Sequence, residues 1–218
     1  MALSCGRNTP RLQSGDLLFQ AGKSTEMEGA ITAATGAEHD RRRGRSSAKG
    51  SPEYTHVGIA VVNDGADSVV EAVGEGVRIV ALQEFLAAAG QIGGRPAVVV
   101  LRLRDTVGVI AEARRAAILR EAVRRARGFT GQPYDYAFLP HNGKLYCSEL
   151  VWESFRTQDG SHLFPARPMN FRAADGSMPV FWTELFARQG DTIPQGVPGT
   201  NPNELAREPE LIEIGRWF

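Results

Sequence analysis

The chain has 218 residues, 42% hydrophobic and 23% charged, which fits a soluble globular protein able to bury an ordinary core without staples. Its 25 basic residues balance 25 acidic ones, removing any global reason to expect a nucleic acid or a strongly charged partner. Two cysteines, Cys5 and Cys147, make neither a disulfide framework nor the usual zinc set, so no metal or other cofactor is expected.

No apolar run is long enough to span a bilayer, and the first ten residues lack the basic and apolar regions of a signal peptide. The reading is a cytoplasmic protein as written, with a non-classical export route as the alternative.

In chain order, Gly15-Asp16-Leu17-Leu18-Phe19-Gln20 reads as a turn entering a buried strand. Residues 24–35 fit a helix capped by Ser24 or Thr25 and ended by Gly36. Composition then turns to Arg, Ser, Gly and Lys over 38–50, read as a mobile, solvated basic insertion. Val57, Ile59 and Val61 alternate along a strand that starts near His56. The Asn63-Asp64-Gly65 turn leads to a second strand over 68–73, and Val77–Val80 forms a third. A short helix over 82–89, a strand over 97–103 and one long helix from about Val109 to Arg127 follow. Beyond residue 165, one short helix near 181–188 precedes an irregular wrapping tail over 190–218, punctuated by Pro194, Pro198 and Pro202. Hairpin-spaced strands with helices set apart from them argue for an α+β fold, here read as a single domain over 11–218.

The stretch Tyr146-Cys147-Ser148-Glu149-Leu150-Val151 places Cys147 where a loop gives way to an apolar, helix-spaced run. In a first helical turn, unpaired N–H groups and the helix dipole favour a thiolate, which attacks carbonyl carbon. A lone cysteine on such a helix is more often a small buried hydrophobe. The rest of the chain must therefore supply a base.

His56 and Glu71 lie on expected hairpin partners, with position 56 pairing close to 71. A carboxylate among Val69, Val70, Ala72 and Val73 is costly without a partner, and His56 is the obvious one. The bland alternatives are a core histidine and a solvent-facing glutamate. His39, His141 and His162 fall in polar or loop segments; Glu149 and Glu153 read as surface or buttressing charges.

Thr55-His56-Val57-Gly58-Ile59, Val70-Glu71-Ala72, Tyr134-Asp135-Tyr136 and the Cys147 stretch together resemble the permuted papain-like cysteine hydrolases of the YiiX/YaeF type. These are circularly permuted relatives of the NlpC/P60 cell-wall peptidases. The His, acid, Cys order matches the permuted group, and Pro198-Gly199-Thr200-Asn201-Pro202-Asn203 is similar to that family's ending. The resemblance implies a papain-like core, with an antiparallel sheet packed against helices that include the Cys-bearing one. It implies Cys147 as nucleophile, His56 as general base and Glu71 as its orienter. The Cys147 backbone N–H and one more donor, with Tyr54 and Tyr146 as candidates, would bind the oxyanion.

The leading expectation is a thiol hydrolase that cleaves an amide bond through a thioacyl-enzyme, acting on a peptidoglycan stem peptide or another amide-linked amino acid. The second is acyl transfer or thioester hydrolysis on an acyl lipid, as in lecithin:retinol acyltransferase-like proteins; the third is a non-catalytic binding module. A dry, apolar cleft favours the lipid reading, and a polar cleft with a charged specificity residue favours peptide amides.

Overall fold

The computed structural model describes residues 9–21, 26–43, 53–104 and 112–218, and side chains throughout these except over 35–43. The expected caps Ser24 and Thr25, Cys5, residues 44–50 of the basic insertion and the first turn of the long helix lie outside them.

Six strands form one antiparallel sheet: β1 (Leu17–Ala21), β2 (Tyr54–Val61), β3 (Ser68–Val73), β4 (Gly76–Ala81), β7 (Val98–Leu103) and β10 (Leu211–Arg216). Their spatial order is β10-β7-β1-β2-β3-β4. Between β4 and β7 come α2 (Leu82–Ala88) and a short pair, β5 (Gln91–Ile92) and β6 (Arg95–Pro96). The remaining elements are α1 (Glu26–Arg43), α3 (Glu112–Gly128), α4 (Cys147–Ser154), β8 (Arg167–Pro168), α5 (Val180–Gln189), β9 (Pro198–Gly199) and α6 (Pro202–Leu205).

Alternation along the strands sorts the core. Phe19, Val57, Ile59, Val61 and Val70 face α3 and α4, meeting Ile118, Ala122, Leu150, Val151 and Phe155. Leu18, Ala60, Val69, Val98 and Val100 face the other way, under Phe85 and Leu86 of α2. Each fully buried large side chain of this kind contributes about 1.5–3 kcal/mol. Gly58 makes the second packing close: a Cβ there would stand 2.4 Å from Val69 Cγ1 and 2.9 Å from Phe85 Cε2. A third, aromatic cluster joins Ala30 of α1 to Trp182 and Phe186 of α5 through Phe138, Tyr146 and Phe171.

The sheet and helices form the α+β, papain-like arrangement expected. Two expectations fail. Helix α1 does not stop at Gly36 but continues to Arg43. An interior glycine costs only about 1 kcal/mol, and the residues after it are mostly good helix formers. The tail is not irregular throughout: Leu211–Arg216 pairs with β7, Leu211 opposite Leu103 and Arg216 opposite Val99. A bulge between Glu213 and Gly215 interrupts this edge pairing and blurs the alternation a sequence reading looks for.

Candidate active site

Cys147 is the first residue of α4, preceded by Tyr146 in extended conformation (φ −91°, ψ 170°). All of α4 but Glu153 is buried, so the helix is fixed by packing on every side. Cys147 is itself buried and forms no disulfide.

His56 stands on β2 with its side chain 15% exposed, its Nε2 2.7 Å from Glu71 Oε2. The Cys147 side chain acts on the same ring and favours its protonated form. With Nε2 taken by the carboxylate, Nδ1 is the ring nitrogen left for a second partner. The strand register differs from the expected one. Ile59 pairs with Val70, so Gly58 comes opposite Glu71 and His56 reaches the carboxylate diagonally. The residue directly across from Glu71 on its other side is Arg78. Arg78 donates through Nε at 3.0 Å and Nη2 at 2.9 Å to Glu71 Oε1. Each oxygen of this nearly inaccessible carboxylate therefore has its own cationic or imidazole partner.

Burial alone would lower the His56 pKa, but the neighbouring Cys147 and Glu71 outweigh burial and raise it to about 10. Burial pushes Glu71 upward, and His56 and Arg78 together bring it below the usual carboxylate range. Both shifts favour an imidazolium braced by a carboxylate.

The two phenols expected at the oxyanion turn elsewhere. Tyr146 Oη accepts from Thr200 N–H at 3.0 Å and lies 3.6 Å from Met169 Sδ. Tyr54 packs on Phe19, and its phenol feels the charges of Glu213, Arg216 and Arg207 at the other end of the sheet. Tyr134 lines the cavity with Cys147: burial first, then Cys147, holds its pKa well above the ordinary value.

The ending 198–203 ties the two halves of the site together. Ser148 Oγ donates to Thr200 O at 3.1 Å, beside the Tyr146–Thr200 bond. Three residues on, buried Asn203 accepts from Tyr54 N–H at 2.7 Å and donates to Tyr54 O at 2.8 Å. One short segment therefore grips both neighbours of Cys147 and the start of the strand that carries His56. Beside Cys147 lies a mostly apolar cavity of about 40 Å³, lined by Thr55, Tyr134, Phe138, Tyr146 and Trp182 among others.

The model of the permuted papain-like amidase family, YaeF/YiiX, C92, matches residues 11–215. The chain belongs to this family. Among curated relatives of this C92 protein is the uncharacterized protein YiiX of Escherichia coli K12, 26% identical over 204 residues, covering 94% of this chain and 86% of the relative. Among solved structures, that of metalloprotein YiiX from Escherichia coli O157:H7 superposes with a TM-score of 0.67 at 24% identity. It covers 94% of this chain and 98% of that one, a likeness of fold.

Within the C92 fold, Cys147, His56 and Glu71 come together from α4, β2 and β3. Arg78 was read only as a strand residue; the turn at Gly74–Gly76 could have placed it opposite Glu71. Glu149 is not a surface charge but is 3% exposed. Burial first and then Asp135 raise its pKa to about 8, against a backbone hydrogen bond at Tyr146 that lowers it. Glu153 is half-buried and paired with Arg156. His162 stacks on Trp152 at 3.3 Å between centroids and His141 stands 6.3 Å from the same ring, so both gather around Trp152. His39 lies on the part of α1 whose side chains are outside the description. Among the described residues no group of three or more His, Cys, Asp or Glu is placed to hold a metal, and no helix is long and apolar enough to cross a membrane.

Proposed function

We propose that this amidase-family chain is a cysteine hydrolase that cleaves an amide through a Cys147–His56–Glu71 triad. The supporting observation is His56 Nε2 at 2.7 Å from Glu71 Oε2, on a ring whose protonated form the Cys147 side chain also favours. Cys147 Sγ attacks the carbonyl carbon, and the carbonyl oxygen becomes an oxyanion held by the Cys147 N–H and the Tyr134 hydroxyl. His56 gives its proton to the amide nitrogen, the C–N bond breaks and the amine leaves, with a thioester remaining on Cys147. Water then attacks the thioester as His56 takes its proton; the carboxylic acid departs and the thiolate returns. Glu71 keeps the imidazole oriented and stabilises its charge, and Arg78 holds Glu71 in place. The substrates in view are peptidoglycan stem peptides and other amide-linked amino acids, the chemistry of the NlpC/P60 relatives.

A second reading, acyl transfer from a lipid, is favoured by the apolar lining beside Cys147. Intact mass spectrometry during turnover separates the two. Protein incubated with amino-acid amides gains the mass of the acyl residue and loses it to water under the first reading. Under the second, only long-chain acyl esters label the protein, and the label moves to an amine or alcohol. No adduct with either class, or turnover that survives Cys147→Ala, rejects the nucleophile.

A further inference from the structure

The middle residue of Tyr134-Asp135-Tyr136 is fully buried. A carboxyl group there is costly without partners, and Asp135 finds them in the backbone just ahead of it. Its Oδ1 accepts from Ala137 N–H at 2.9 Å and its Oδ2 from Leu139 N–H at 2.8 Å. The two bonds bracket Phe138, whose backbone is left-handed at φ 52°. An aromatic residue rarely adopts that conformation, and it lasts only where the surroundings over-determine it. Here it turns the ring onto Tyr146 at 5.2 Å and Trp182 at 5.6 Å, in the wall beside Cys147.

Tyr134 is held from both sides. Upstream, Val77 N–H of β4 donates to Gln132 O and Gly131 N–H donates to Val77 O, both at 2.8 Å. Gly76 permits that approach, since a Cβ there would stand 2.4 Å from Gln132 O. Downstream, Asp135 N–H donates to Leu145 O at 3.3 Å and Leu145 N–H to Pro133 O at 3.1 Å. Both neighbours of Tyr134 are thus bonded to the residue that precedes Tyr146 and Cys147. Burial, then Cys147, and last Asp135 keep the phenol protonated, as a donor must be.

We propose that Asp135 is a positioning residue for amide cleavage: its bonds to the two amides fix the loop so that the Tyr134 hydroxyl is aimed at the oxyanion. This rests on the nucleophile reading above and deepens it. Asp135 touches no substrate and acts through Tyr134. A ground-state amide binds without that donor, whereas the tetrahedral oxyanion draws on it, so the effect falls on kcat and not on KM.

The test is a double-mutant cycle on hydrolysis of N-acetylated amino-acid p-nitroanilides. Tyr134→Phe should lower kcat about 10²-fold. Asp135→Asn, which keeps one amide acceptor and loses the other, should lower it about tenfold with KM within about twofold. The double variant should fall no more than about threefold below Tyr134→Phe, because the two losses share one route. Alkylation of Cys147 by iodoacetamide passes through no oxyanion and should stay within about twofold of wild type in Asp135→Asn. Full additivity, or alkylation that falls in step with kcat, overturns the proposal and leaves Asp135 a structural residue. Should Asp135→Asn not fold, Asp135→Ser, whose hydroxyl can accept from Ala137 N–H, carries the same cycle. A second readout needs no turnover: the four tyrosines give four ring ζ-carbon signals in ¹³C-tyrosine-labelled protein, and Tyr134→Phe assigns one of them. Asp135→Asn should shift the Tyr134 signal at pH 7, and an unmoved signal overturns the proposal as well. A shifted signal in a protein whose wild type cleaves no amide rejects the nucleophile reading alone.

Discussion

Two buried carboxylates on one sheet each meet an arginine, and they spend it differently. Asp16, at the turn entering β1, takes Arg102 in a two-pronged pair, Nε to Oδ1 and Nη2 to Oδ2, both at 2.8 Å. The same Oδ2 also accepts from Gln13 N–H at 2.7 Å. Every strong partner of Asp16 serves to close a turn against a strand. Glu71 receives both arginine nitrogens on Oε1 and keeps Oε2 for His56. Splitting its two oxygens lets one hold position while the other acts on the imidazole. The same pair of residue types is a fastener in one place and part of a proton-handling device in the other.

The largest expected effects fall on the device. Cys147→Ala and His56→Ala should lower turnover by about 10⁴-fold or more. Glu71→Gln, which keeps a hydrogen bond and removes the charge, should lower it by about 10²-fold to 10⁴-fold while the protein stays folded. At the fastener the outcome reverses. Asp16→Asn should cost about 3–5 kcal/mol because it removes the charge from a buried two-pronged pair. Over a chain of this size that lowers Tm by roughly 6–20 °C, with the rate of Cys147 alkylation by iodoacetamide unchanged. Equal loss of Tm in both variants would erase the distinction.

Acidity separates the device further. Glu71 is held below its ordinary pKa, so its contribution to stability is complete above the carboxylate range and is lost as pH falls through the folded value. His56 is raised from 6.5 to about 10, so its contribution is complete below pH 6.5 and is lost as pH rises toward 10. The Tm difference between wild type and His56→Ala should therefore be largest below neutrality and close toward pH 10. A difference that is flat from pH 6 to 10 would show that His56 is not held as the imidazolium. Alkylation at pH 6.5 should also slow at least tenfold in His56→Ala, which removes the cation opposite the sulfur.

The ending sharpens the same contrast at a smaller scale. Asn203→Ala removes both bonds to the Tyr54 backbone, a loss of about 2 kcal/mol. Turnover should fall about tenfold through kcat, because a misplaced base weakens a step that depends on geometry. An unchanged kcat with the same fall in Tm would make Asn203 a fastener only.

Much of this was legible in the chain. Alternation at Val57, Ile59 and Val61 and the turn at Asn63–Gly65 gave the hairpin, and the cost of a carboxylate among valines drew Glu71 toward His56. The register was off by two because a turn locates its own centre better than the pairing beyond it. For Glu149 the chain left a surface and a buttressing charge open, because its spacing from Cys147 says nothing of what covers the helix. All of α4 except Glu153 is enclosed, by partners from α3, β2 and the far tail. Thr200, Asn203 and β10 act across more than fifty residues each, and no local periodicity carries that.

The smallest expected effect is also the most direct comparison of the two arginines. Arg78 is 40% exposed, whereas Arg102 is 21% exposed and faces a carboxylate buried as deeply. Solvent screens the outer pair, so Arg78→Gln should cost no more than about 1 kcal/mol, whereas Arg102→Gln should cost about 3. Glu71 keeps its bond to His56 in Arg78→Gln, and turnover should fall less than about fivefold. The pH at which kcat declines on the acid side should rise, because one of the two groups that hold Glu71 ionised is gone. An acid limb that does not move, beside an Arg102→Gln protein no less stable than Arg78→Gln, would mean that both arginines only fasten.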